Sequence, residues 1–133
     1  MKPWLQQSGE GFQARLALRP DLQQKYHDFL QVIENNDAVP ERVYEICRSR
    51  IQFIHGLRKE DVDARPLNDA EASALTVADR MPYQHHQLMD EEVETLKAFF
   101  GDQGSVALLT ALAFFDVTCR LEATFQAAHM SDQ

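Results

Sequence analysis

Two cysteines, Cys47 and Cys119, are the only thiols in this chain of 133 residues. They stand far apart, so there is no Cys-x-x-Cys pair, no disulfide framework and no cysteine spacing of a zinc site. Both thiols are expected to be reduced. Basic charge is also scarce: 13 Lys and Arg face 21 Asp and Glu, a formal net charge of −8. Such a chain repels phosphate backbones, and no nucleic-acid partner is expected. The densest set of cations, Arg42, Arg48, Arg50, Arg58, Lys59 and Arg65, is interleaved with Glu41, Glu45, Glu60, Asp61 and Asp63, which reads as a helix of mixed sign. Long apolar runs are missing. The longest, VALLTALAFF at 106–115, is about half of what spans a bilayer. The N-terminal MKPWLQQSGEGF has no apolar leader core. A cytoplasmic protein without a membrane segment is expected. No strand pattern of any length and no repeat occurs.

What the sequence does have is helical periodicity. Apolar residues at 44% and charged residues at 26% are ordinary globular values, enough for one domain over 1–133 with one core. An irregular arm over 1–18 is expected to pack through Trp4, Leu5 and Phe12. A first helix follows Pro20, with Leu22, Tyr26, Phe29, Leu30 and Ile33 at helical spacing, and Asn35, Asn36 and Asp37 end it. Pro40 opens a second, predicted to run to about residue 63. Its apolar arc holds Val43, Ile46, Cys47, Ile51, Phe53, Ile54 and Leu57. Arg50 falls in that arc, so its charge must be met inside the fold, by Asp116 first and by Glu71 or Asp61 otherwise. Asn68 and Glu71 have the spacing of a capping box, opening a third helix to about Arg80. MPYQHHQLMD is a loop ending at Asp90, the cap of a fourth helix that Gly101 stops. The last helix, from about 105 to 128, is apolar on every side in its first half. Such a helix is central to a fold or buried between subunits, so a homo-oligomer is expected.

Three stretches in this order carry a family resemblance. EICRSRIQFIHG, LNDAEASALTVADRM and GSVALLTALAFFDVTCRLEATF resemble the helices of the carboxymuconolactone decarboxylase and alkyl-hydroperoxidase-D-like (AhpD-like) family, over roughly residues 40–125. The resemblance implies an all-α fold, an AhpD-like helical bundle of about five to six helices. Redox members of that family carry Cys-x-x-Cys-x-x-x-His directly after the glycine. With Gly56 in register those positions are Leu57, Glu60 and Ala64, so the peroxidase ligands are absent. The family's upstream proton-relay glutamate falls on Glu45. The decarboxylase branch has a glutamate where Glu60 stands and a histidine where Ala64 stands. Of the Asn-x-x-Asn-Arg in the closing helix only the arginine, Arg120, remains.

Two functional readings follow. In one, proton-transfer chemistry such as lactone decarboxylation acts on a small carboxylated or carbonyl compound. Glu45 and Glu60 serve as acid and base, His55 assists, and Arg50 or Arg120 grips the carboxylate. In the other, a non-catalytic oligomer keeps the fold as a ligand-binding or assembly module. Each residue also has a plainer role: Glu45 and Glu60 as solvated helix charges, His55 as a structural histidine, and Asp116 with Arg120 as an i, i+4 ion pair. The first reading requires Glu45 or Glu60 to face a cavity within reach of His55 or an arginine. A thiol peroxidase is disfavoured, because Cys47 lies in the apolar arc, where a thiol is inert. His85 and His86 are adjacent in a loop with no carboxylate at helical spacing. No metal and no other cofactor is expected.

Overall fold

The fold comes from a computed structural model that describes residues 12–35, 37–61 and 66–130. Five α-helices follow one another: α1 (Phe12–Leu16), α2 (Pro20–Glu34), α3 (Glu41–Ile54), α4 (Asp69–Arg80) and α5 (Asp90–Met130), with a 3-10 turn at His85–Gln87. The described residues contain no strand, so the architecture is all-α. Helices α3, α4 and α5 pack against one another, and α5 touches every other helix. The core between them is built on Tyr44, Ile51, Leu96, Leu108 and Leu112, all almost fully buried.

Local chemistry sets most of the boundaries. Pro20 starts α2, where its missing N–H costs nothing. The Asn68 side chain accepts from the Glu71 N–H at 2.8 Å, and Glu71 accepts from the Asn68 N–H at 2.9 Å, closing the capping box of α4. The second Glu71 oxygen takes Arg42 Nε at 2.6 Å, which ties the start of α4 to α3. Pro40 sits one position earlier than expected, as the cap before α3.

The structure corrects the predicted end of α3. The helix stops at Ile54, not near residue 63. Gly56 adopts φ +75°, the left-handed region. Its N–H bonds the Phe53 carbonyl at 3.0 Å and the Leu57 N–H bonds Gln52 at 2.9 Å, the paired bonds that close a helix on a glycine. Leu57 therefore lies past the stop and does not extend the arc. Gly101, with φ 70° and ψ 179°, breaks α5 where the sequence indicates, in a region that suits glycine alone.

Phe12 packs as expected, 5.5 Å from Tyr26 and 6.1 Å from Phe125 between ring centroids; Trp4 and Leu5 lie outside the described residues. The apolar length of α5 splits in two. Leu108, Ala111, Leu112, Phe115 and Cys119 turn inward, whereas Val106, Val117 and Leu121 are exposed on the single chain. Over Asp90–Gln126 the helix is long and apolar enough by length and composition to cross a membrane, and 44% of its most apolar window is buried within the fold. The 106–115 run taken alone understates this, because the helix continues past it at both ends.

Candidate functional site

Glu45, Glu60 and His55 are not brought together. Glu45 is exposed on the outer side of α3, and its carboxylate has no hydrogen bond or ion pair among the described residues. Glu60 is exposed beyond the Gly56 stop, with only its backbone carbonyl engaged, by Arg58 Nε at 3.0 Å. No hydrogen bond joins any two of the three.

His55 instead caps α3 and reaches α5. Its Nε2 lies 2.6 Å from Asp116 Oδ1, with the two side chains 5% and 13% exposed. A carboxylate only accepts, so Nε2 carries a proton; Nδ1 lies 3.4 Å from the Tyr83 hydroxyl. The other Asp116 oxygen takes Arg120 Nε at 3.1 Å. Arg120 also donates to the Pro82 carbonyl and lies over the Tyr83 ring at 5.3 Å. The i, i+4 pair of Asp116 and Arg120 thus exists within a larger, closed network. It clasps the end of α3 and the loop after α4 onto α5. Arg120 is half-exposed, with Nε and Nη2 engaged within the fold.

Arg50 meets one of its expected partners, Asp61, but not the first choice, Asp116. Asp116 belongs to His55 and Glu71 to Arg42. Arg50 binds Asp61 through Nε at 2.7 Å and Asp79 through Nη1 at 2.8 and 3.0 Å. It sits at the rim of the apolar arc and is 24% exposed. Burial lowers its pKa, but Asp79 and Asp61 outweigh that and hold it above the usual arginine value.

Both thiols are buried and unpaired. Burial pushes each up to about 12, Cys47 with help from Asp79 and Cys119 with help from Glu122 and Asp116. A thiol so far above its ordinary value supplies almost no thiolate near neutral pH. Among the described residues no group of three or more His, Cys, Asp or Glu could hold a metal ion.

The feature that sequence reasoning missed is a cleft of about 440 Å³ between α1, α2, α3 and α5, within the usual size range of small-molecule sites. Phe12, Leu30 and Phe115 form apolar wall; Tyr26, Gln52 and Thr118 bring hydroxyl and amide groups. Arg48 is its cation. The guanidinium lies over the Phe115 ring at 4.6 Å and pairs with Glu34. Its remaining N–H groups have no acceptor among the described residues. Burial holds Arg48 below the ordinary arginine value, so a further anion would relieve it. Burial raises Tyr26, against the pull of its hydrogen bond with Thr118. The sequence signal is small: Arg48 and Gln52 are polar residues at i, i+4 on the flank of an amphipathic helix.

No family model, no curated protein and no solved structure matches the chain.

Proposed function

We propose that this chain is a thiol-independent protein of AhpD-like type, cytoplasmic and self-associating, that binds a small carboxylated or carbonyl compound in the Arg48 cleft. The observation that carries the reading is the guanidinium of Arg48, which lines a cleft of small-molecule size with donors unfilled among the described residues. The order of the three family-like stretches supports the fold type, and two inert, unpaired thiols fit a reducing compartment. Binding is preferred to acid–base catalysis because Glu45 and Glu60 are solvated and neither lines the cleft.

Thermal unfolding with benzoate tests this. A ligand at one hundred times its Kd stabilises by about 2.7 kcal/mol, so millimolar benzoate raises the melting temperature by several degrees. Arg48→Met, shown to be folded by circular dichroism, loses that shift. If benzoate and 4-methylbenzoate leave the wild-type midpoint unmoved, the cleft does not take carboxylates.

A further inference from the structure

We infer that the Arg48 cleft takes a bipolar ligand, with a carboxylate at one end and a protonated amine at the other across a short apolar or aromatic spacer. The inference rests on the cleft reading above and names the class of compound that fits it.

The cleft carries one charge of each sign, Arg48 from α3 and Glu122 from α5. Arg48 is fixed above Phe115. Phe115 and Glu122 are seven residues apart on α5, about 10 Å along a helix axis. Thr118 and Cys119 lie on the turn between them and also line the cleft. The charges therefore mark two ends of one groove. Cys119 feels both, lowered by Arg48 and raised by Glu122, and so does Tyr26 across the groove.

Among the described residues neither end is closed. Arg48 has Glu34 on one side, and a guanidinium can hold two carboxylates at once, as Arg50 does with Asp61 and Asp79 in this same molecule. The Glu122 carboxylate has no hydrogen bond or ion pair among the described residues. The middle of the groove is apolar or neutral. Phe115 and Leu30 contribute hydrocarbon, and the Cys119 thiol stays protonated. A purely anionic ligand leaves Glu122 facing apolar ligand surface or repelling it. A purely cationic one leaves the spare Arg48 donors empty. A bipolar ligand meets both.

The test is isothermal titration of the full chain with three matched probes: 4-(aminomethyl)benzoate, 4-methylbenzoate and benzylamine. The bipolar probe should bind at least tenfold more tightly than either of the others. Glu122→Gln should remove that advantage, weakening the bipolar probe without weakening 4-methylbenzoate; Arg48→Met should weaken both carboxylates. If 4-methylbenzoate binds through Arg48 as tightly as the aminomethyl compound, the cleft is an acid site only and the bipolar inference is overturned. It is also overturned if Glu122→Gln weakens the two carboxylates equally. If none of the probes binds, the cleft reading falls, and this inference with it.

Discussion

Arg50 illustrates how a charge on an apolar arc is resolved. Its guanidinium reaches the rim of α3, where Asp61 and Asp79 meet it with both carboxylates 45% exposed. Pairs this open are screened by water, and each contributes about 0.2–1 kcal/mol. Arg50→Met should therefore lower the urea midpoint by an amount equivalent to about 1 kcal/mol, well short of the loss from breaking a buried pair. Combined with Asp116→Asn the effects should add, because Asp116 belongs to the His55 network; recovery of stability in the double variant would place Arg50 and Asp116 in contact. The thiols carry a second prediction at this scale. At pH 8 Cys47 and Cys119 should react with a disulfide reagent only after unfolding. Their pKa of about 12 lies above the ordinary 9.0, so the folded state keeps protons that the unfolded chain releases in between. The stability this contributes is complete below pH 9 and is lost as pH rises toward 12. Urea midpoints across that range should fall; a flat profile would mean that the thiols titrate normally in the fold.

Among the helices, the clearest signals are those whose partners lie within a few residues. The Asn68 and Glu71 box forms as its spacing implies, and Gly101 breaks α5 where a glycine follows an amphipathic run. The end of α3 carries the same kind of signal in Gly56. Leu57, apolar and one residue beyond, fits the helical arc well enough to conceal the stop. The backbone decides it, since Gly56 at φ +75° turns the chain and satisfies the last carbonyls. A side chain at Gly56 meets nothing within 4 Å, so only the backbone conformation resists substitution. Gly56→Ala should cost about 1–2 kcal/mol by chemical denaturation, with unchanged helical content. An unchanged midpoint would indicate that the turn relaxes without glycine.

Across the whole molecule, α5 holds the fold together and leaves one side uncovered. Val106, Val117 and Leu121 are 66%, 54% and 42% exposed, on a helix that carries no charge between Asp102 and Asp116. Two copies of a chain with net charge −8 repel over most of their surface, and this length of α5 is where they can approach without charge. Light scattering at micromolar concentration should give at least twice the 15.3 kDa of one chain. Val117→Lys should return it to the single-chain mass. A 15.3 kDa species for the unaltered chain would remove self-association from the proposed function.

The sequence by itself determined the helices from α2 onward, their order and most of their ends; α1 formed within the arm over 1–18 that was expected to be irregular. Apolar spacing, capping pairs and glycines act through bonds between residues one to five positions apart, and those bonds form in any context that lets the chain coil. Which charges meet was decided by the tertiary structure. Asp116 is 61 residues from His55, Asp79 is 29 from Arg50, and Glu71 is 29 from Arg42. Several carboxylates were chemically acceptable to each cation, and only the packing angles of α3, α4 and α5 selected among them. The Arg48 cleft has the same origin. Its lining comes from four helices, and no local pattern in any one of them encodes the space left where they fail to close.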